Sequence, residues 1–550
     1  MSTKIKKIVV VGGGSAGWMS AATFATQLDK VEIVVIESPD FPVLGVGEST
    51  LGGIRHWASL IGLKDEEFLP KVDGSYKLSI KFTDFEGTGT GGFHYPFGAS
   101  IPPIEQVTQN DWWFLKGNRP KFFDKSAYAR CHYPIASVAE QNRISTDSTG
   151  KTLGFNFSYD SAYHFDAVAF GQYLKEAICL PRGVKLIPST VDGVVTNENG
   201  IDYLKLKDGS TVTADLFVDC TGFKSMLLGD ALGVKFNSTE DIIPNNNAWA
   251  TQIPYKDKDK QLEPFTNCTA LKNGWAWNIP LWSRIGAGYA YSDDYITSEE
   301  ALAEFKKHIK KTYKINPENL EYRPIKMKNG IHDKLWHKNV VAIGLSSGFI
   351  EPLESTGLLT TYEWLLSLVF VLRKGFVNQW DREAFTFSLT QTYYQLAQFV
   401  GLHYAISPRN DSEYWRSITE RVRINSHDQD LVTSSELFQI ANALHKHHEW
   451  QGGYNGFQCI AAGMNYPPID YSVHNALGRL RDFDVEQHLD RLEGLYSETQ
   501  SRYKEYADTC PTLYWYLKNH IHNDSFEVKM VGTLDELDPS DPVLANMPVK

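Results

Sequence analysis

A chain of 550 residues exceeds one ordinary domain, so two or more modules are expected; 42% hydrophobic residues supply a core, and 22% charged residues argue against disorder. The formal net charge of -12 speaks against a general nucleic-acid binder, which needs basic surface to meet phosphate. The six cysteines, at 131, 179, 220, 268, 459 and 510, form no CxxC pair, which disfavours a zinc site or a disulfide framework and fits a reducing cytosol.

From the N-terminus, MSTKIKKIVVVGGG runs into a glycine turn without a signal-peptide pattern, so a cytoplasmic protein is expected. Ile8 to Val11 is a continuous apolar run of the kind buried in a parallel sheet. Gly12, Gly14 and Gly17 then fit GxGxxG, Ser15 and Ala16 open a helix running to Leu28, and Val31 to Ile36 makes the next strand. In such a βαβ unit the first glycine permits a tight turn, the second lets a pyrophosphate approach the backbone, and the third lets helix and strand pack closely. The helix N-terminus offers unpaired N–H groups to the phosphates. Glu37 ends the second strand about 20 residues on, where an acceptor for a ribose hydroxyl belongs. The unit predicts dinucleotide binding.

A more strand-like middle follows, with runs at Val184 to Ile187, Tyr203 to Leu206 and Leu216 to Val218, and a hairpin signal at Asp208-Gly209. The apolar stretch Leu365 to Leu372 is too short to cross a bilayer, so no membrane association is expected. Mixed apolar and polar segments at Thr360 to Lys374, Asp381 to Ala405 and Val485 to Tyr506 read as helices. No Pro/Ser/Gly linker separates the two textures.

A Rossmann unit alone does not separate FAD from NAD. Leu216 to Gly222 (LFVDCTG) is a hydrophobic strand ending in a small-residue turn, and it resembles the second nucleotide-contact segment of flavoprotein monooxygenases, with Asp219 as its acid. Asn339 to Leu345 (NVVAIGL) resembles the strand and turn that reach the flavin ring there, with Gly344 at the turn. Leu345 stands where those enzymes usually carry an aspartate, a departure from ordinary hydroxylases. The expected fold class is therefore α/β: an FAD-binding Rossmann-type module with mixed sheets over residues 1–365, packed against a mainly helical module over 366–528, with an extended tail at 529–550.

Gly274 to Pro280 (GWAWNIP) fits the GWxWxIP signature of flavin-dependent halogenases. Gly45-Val46-Gly47-Glu48-Ser49-Thr50, Tyr76-Lys77, Tyr163-His164-Phe165-Asp166 and Glu351-Pro352-Leu353-Glu354-Ser355-Thr356-Gly357 follow the tryptophan halogenase branch in the same order. The chain is identified as similar to that family, well over roughly residues 1–365 and weakly beyond.

The resemblance implies a two-component enzyme in which FADH2 and O2 oxidise chloride, bromide or iodide to hypohalous acid, which then halogenates an electron-rich aromatic substrate. By that similarity Lys77 and Glu354 are catalytic. Gly45, Val46, Gly47 and Glu48 strap the flavin ring, and Thr356 and Gly357 hold the halide. On chemistry alone, an ammonium at Lys77 hydrogen-bonds hypohalous acid, whereas a neutral amine forms a haloamine; both need a desolvated lysine. Ser355 or Thr356 also suits a helix N-cap, and the same helix start favours an anion. Trp275 and Trp277, two apart, share one face of an extended segment, and the resemblance implies that they form a wall keeping substrate from the flavin.

Tyr95 and Phe97 resemble two walls of the family's indole sandwich, with Tyr95 where a histidine is usual, and Trp450 resembles the third. Phe438, Gln439 and His445 fall where tryptophan halogenases carry a tyrosine pair and a glutamate that grip the amino acid, so a simpler indole or another arene is the expected substrate. No second, nicotinamide-binding Rossmann unit is visible, which implies a separate NAD(P)H-dependent flavin reductase as partner; family similarity adds a homodimer. An FAD-dependent aromatic hydroxylase is the competing reading. No metal and no nucleic acid are expected.

Overall fold

A computed structural model describes residues 3–40, 47–101, 107, 109–149, 154–425, 453–466 and 484–522. Gly45, Val46, Phe438, Gln439, His445, Trp450 and the 529–550 tail lie outside the described residues.

The Rossmann sheet forms where the apolar runs predicted it. Its strand order is Trp336–His337, Val340–Ala342, Leu216–Asp219, Lys7–Val11, Glu32–Ile36 and Lys185–Ile187. The four strands from Val340–Ala342 to Glu32–Ile36, and Lys185–Ile187 after them, run parallel, with Val9 opposite both Phe217 and Val34. Side chains alternate between two cores as the strand period requires. Ile8, Val10, Ile33 and Val35 meet Trp18 and Met19 of the helix Ser15–Gln27. Val9, Val11, Val34 and Ile36 meet Leu204 and Leu206. Those two leucines belong to the hairpin of Gly200–Leu206 and Thr211–Val212 that Asp208-Gly209 turns, as its sequence predicted.

A larger sheet was barely visible in the sequence. Its order is Arg323–Lys326, Asn247–Pro254, Arg284–Tyr291, Gly274–Pro280, Phe265–Ala270, Ser79–Thr83 and Gly92–Pro96. All its pairings are antiparallel except that of Phe265–Ala270 with Ser79–Thr83. The GWxWxIP segment is its central strand. A third, small sheet pairs Gly47–Ser49 and Ser75–Lys77 with Ala162–Asp166, so that Ser49 and Ser75 both lie opposite His164. Three of the family-like motifs meet in this one sheet.

Helices follow in the second half of the chain. Thr356–Leu372 starts four residues before the predicted Thr360 and packs against Ser15–Gln27. Gln379–Ala405 is opened by a capping box between Asn378 and Asp381. Val485–Thr509, opened by Asp484, packs against the short helix Pro134–Glu140. No described helix is long and apolar enough to cross a membrane.

Candidate active site

The glycine turn is shaped by close approaches. Gly12 has φ +118°, and a Cβ there would lie 2.2 Å from the Cys220 carbonyl oxygen; a Cβ on Gly17 would lie 1.9 Å from the Gly12 carbonyl. Only glycine lets the helix sit this tightly on the strand. Gly14, in contrast, faces open space. It forms one rim of a cavity of about 360 Å³, within the range of ligand sites. Ser15 and Ala16 continue that rim, Gly47 and Glu48 close another side, and Gly344 and Gly357 line the floor. Trp277 and Ile279 form an apolar wall. A cavity of this size beside a dinucleotide turn has room for a ligand ring, with phosphates toward the helix N-terminus.

Two expected cofactor residues are engaged within the protein. The Glu37 carboxylate accepts from Trp18 Nε1 at 3.0 Å and Lys175 Nζ at 2.6 Å, beside the glycine turn. Asp219, expected to touch the cofactor, does not line the cavity. It is fully buried and accepts from the Thr221 N–H and hydroxyl and from the Leu227 and Leu228 N–H groups, so it shapes the turn after its strand. Burial, reinforced by neighbouring Asp166, pushes the Glu48 carboxyl up to about 7.

Trp275 and Trp277 share one face, as the extended reading predicted, with ring centroids 5.9 Å apart. Trp277 lines the cavity, and Trp275 is buried behind it. The Trp277 ring lies across Gly288, its partner on the next strand, where an added Cβ would stand 1.9 Å from the ring. Gly288→Ala is expected to displace the indole and cost about 1–3 kcal/mol, as overpacking does. A thermal melt with added FAD checks this, since the flavin-bound form should lose the most stability.

Lys77, at the end of its short strand, is completely buried. Its Nζ donates to the Thr50 carbonyl at 3.0 Å and to Ser355 Oγ at 2.8 Å, and sits 5.2 Å from the centre of the Phe97 ring. Burial lowers its pKa to about 7, against the opposing pull of Cys268 and Glu354. Phe97 is thus brought to Lys77. Tyr95 is buried on the adjoining strand, near enough for the Glu354 charge to help burial raise its phenol.

Glu354 is 1% exposed, and neither oxygen has an aligned hydrogen bond among the described residues. Among the described residues its one close polar contact is His403, whose Nε2 lies 2.7 Å from Oε1 but off the line of an N–H donor. His403 was not singled out in the sequence, because its helix neighbours Phe399 and Leu402 read as ordinary core.

The helix start departs from the capped reading. Ser355 takes a left-handed conformation (φ 58°), and its side chain makes no cap. Its hydroxyl turns instead to Lys77 and to Ser49 Oγ, 3.0 Å away. The first N–H groups of Thr356–Leu372 therefore lack a side-chain cap, Gly357 opens on the cavity, and the buried Thr356 hydroxyl has no partner among the described residues. A small anion beside the ring slot would satisfy both.

A cavity beside a dinucleotide-binding glycine turn is the arrangement of a cofactor-dependent oxidoreductase. The tryptophan halogenase family model matches residues 7–476, and the chain belongs to that family. It is similar to the tryptophan 6-halogenase SttH of Streptomyces toxytricini, 33% identical over 471 residues, which cover 80% of this chain and 87% of that protein. It is similar too to the tryptophan 7-halogenase RebH of Lentzea aerocolonigenes, 29% identical over 94% of this chain and 99% of the other. Among solved structures, apo VirX1 superposes with a TM-score of 0.85 at 37% identity, covering 94% of this chain and 99% of that one. The protein is an FADH2-dependent halogenase, and its family acts on aromatic substrates.

Proposed function

We propose that the protein halogenates an electron-rich, indole-like arene other than free tryptophan, using hypohalous acid received at Lys77 with Glu354 beside it. Ser355 carries this reading: it lines the ring cavity on one side and holds Lys77 Nζ at 2.8 Å on the other. An oxidant made in the cavity thus has a short path to the lysine.

The Gly12 to Gly17 turn would hold the pyrophosphate, Glu37 the ribose, and Gly47, Glu48 and Gly344 the ring, with the halide at Thr356 and Gly357. Bound as FADH2, the flavin supplies with O2 the oxidising power that turns halide into hypohalous acid. The chain's residues do the rest. Trp277 keeps the arene out of the ring cavity, suppressing direct oxygenation. Lys77, with a pKa of about 7, has both its ammonium and its amine form within reach at neutral pH. Tyr95 and Phe97 flank the arene, and Glu354 accepts the proton that leaves the ring after halogen addition. Regiochemistry comes from how the arene is held, since the oxidant has little selectivity of its own. The reductant comes from a separate NAD(P)H-dependent flavin reductase, and the enzyme works in the cytoplasm as a homodimer.

Mass spectrometry of an indole and phenol panel, with FAD, a flavin reductase, NADH and one halide per reaction, tests this. Halogenated indoles other than tryptophan are expected. Oxygenated products lacking halogen would replace the proposal with a hydroxylase.

A further inference from the structure

Beyond Lys77 itself, we infer that Ser355, Ser49, Thr266 and His164 form a uniformly oriented hydrogen-bond chain that takes a proton from Lys77. The inference rests on the role proposed for Lys77. The links are short and continuous. Lys77 Nζ to Ser355 Oγ is 2.8 Å, Ser355 Oγ to Ser49 Oγ 3.0 Å, Ser49 Oγ to Thr266 Oγ1 2.6 Å, and Thr266 Oγ1 to His164 Nε2 2.9 Å. Every member is at most 8% exposed. Four elements of the fold supply them: the Ser75–Lys77 and Gly47–Ser49 strands, the Phe265–Ala270 strand, and Ala162–Asp166, with Ser355 at the helix start.

Both ends fix the direction. A lysine N–H only donates, so Ser355 Oγ accepts at one end. At the other, His164 Nδ1 faces Ser75 Oγ at 3.5 Å. Ser75 spends its own proton on the Pro280 carbonyl at 2.5 Å, so the group before Nδ1 is an acceptor. Nδ1 therefore carries the ring proton in the neutral imidazole, and Nε2 is left to accept from Thr266. Between a donor and an acceptor, every hydroxyl must point the same way, from Lys77 toward His164.

Such a chain moves a proton by concerted hops. The Lys77 ammonium gives one proton to Ser355, each hydroxyl passes one on, and His164 Nε2 takes one. No electrons move, and the positive charge shifts from Lys77 to His164. Burial, and then the Lys77 charge, hold the imidazole well below its usual pKa. The transfer is uphill, and it eases as Lys77 becomes neutral. The proton is lent while Lys77 acts as an amine, then returned. The other groups facing Lys77 do not compete. The Cys268 thiol, pushed far up by burial, faces the Leu353 carbonyl; Glu354 faces His403; and Phe97 presents a ring. A lysine satisfied by Thr50 and Ser355 needs no further links, yet the chain continues for three more. Ser355, Ser49 and Thr266 also line the ring cavity, so the chain runs along the wall that the oxidant crosses.

Thr266→Val removes one hydroxyl and keeps the shape, while Thr266→Ser keeps the hydroxyl. With the flavin-loaded enzyme in single turnover, Thr266→Val is expected to lower the halogenation rate about tenfold or more, the low end of acid–base contributions, with arene KM unchanged. A proton inventory in H2O/D2O mixtures should be curved for the wild type and for Thr266→Ser, and linear for Thr266→Val. Independently of turnover, the 15N-histidine spectrum, assigned with His164→Gln, should show the Nδ1–H form, its Nε2 signal moving when Thr266 is Val. Ser49→Ala should reproduce the kinetic loss. Unchanged rate and inventory in Thr266→Val and Ser49→Ala would overturn the chain, as would Thr266→Ser failing as badly as Thr266→Val. If Lys77→Met retains halogenation, the Lys77 role itself fails, whatever the Thr266 variants do.

Discussion

Lys77→Met is expected to abolish halogenation, by about a thousandfold or more in kcat/KM, while leaving flavin binding intact and making the protein more stable below pH 7. The first effect follows from losing the amine that contacts both Ser355 and the Phe97 ring and can handle an electrophilic oxidant; acid–base groups alone contribute about 10²–10⁴. Flavin binding survives because Lys77 does not line the ring cavity. The stability gain follows from the burial that depresses its pKa. Folded Lys77 titrates at about 7, against 10.5 for an ordinary lysine. Between those values the unfolded chain binds the extra proton, so wild-type stability rises with pH there. Below 7 the whole cost of burying the charge is present, up to about 5 kcal/mol for 3.5 units at about 1.4 each. Methionine removes that cost but strands the Thr50 carbonyl and the Ser355 hydroxyl, at about 1–3 kcal/mol each. The net gain is at most about 3 kcal/mol at pH 6, and toward pH 10 it turns into a net loss, because the burial cost is gone while the stranded carbonyl and hydroxyl remain. Denaturant melts of both proteins across that range check it; a gap independent of pH would mean that Lys77 is not a buried, titrating amine.

The Rossmann half was legible because its signals are local. Gly12, Gly14 and Gly17 must be glycines for reasons confined to one turn, and the apolar runs on either side alternate within single strands. Trp275 and Trp277 were legible as a wall, but not as the centre of a seven-stranded sheet. Their neighbour Arg284–Tyr291 reads Ile-Gly-Ala-Gly after its first residue, which has little intrinsic strand preference; it is a strand because small residues there make room for the Trp277 ring. The motifs at Gly47, Lys77 and His164 could be quoted separately, but nothing in their spacing says that one small sheet joins them. Pairings between distant segments leave no periodic trace. The contact of Ser355 with Lys77 was hidden for the complementary reason: a serine before an apolar helix suits an N-cap, and only its left-handed backbone turns the hydroxyl to Lys77. Asp219 was carried over with its strand, and its four intramolecular donors became visible only with the turn that follows. His403, Ser49 and Thr266 matter through what they touch, and each looks ordinary alone.

Glu354→Gln is expected to lower halogenation about a hundredfold or more, with arene KM changed less than about threefold and more oxidant escaping to solution. The argument begins with His403. Its Nδ1 lies 3.0 Å from the Phe399 carbonyl, which only accepts, so Nδ1 carries a proton. In the neutral imidazole Nε2 is then a bare lone pair, and it stands 2.7 Å from Glu354 Oε1. The contact lies at Oε1, on the helix Gln379–Ala405 side of the carboxyl. Oε2 is left for the reaction. Glutamine preserves the volume and still meets Nε2 with its amide, so the fold is kept; it cannot take the proton leaving the halogenated ring. Halogen addition then reverses more often than it completes, and hypohalous acid leaves the site unused. A diffusible β-diketone trap, halogenated in place of the arene, reads this escape directly. Its signal should rise as arene product falls. If Glu354→Gln keeps more than a tenth of the wild-type rate with no added trapping, Glu354 is not the proton acceptor, and its contact with His403 serves only to hold the helix Gln379–Ala405 against the active site.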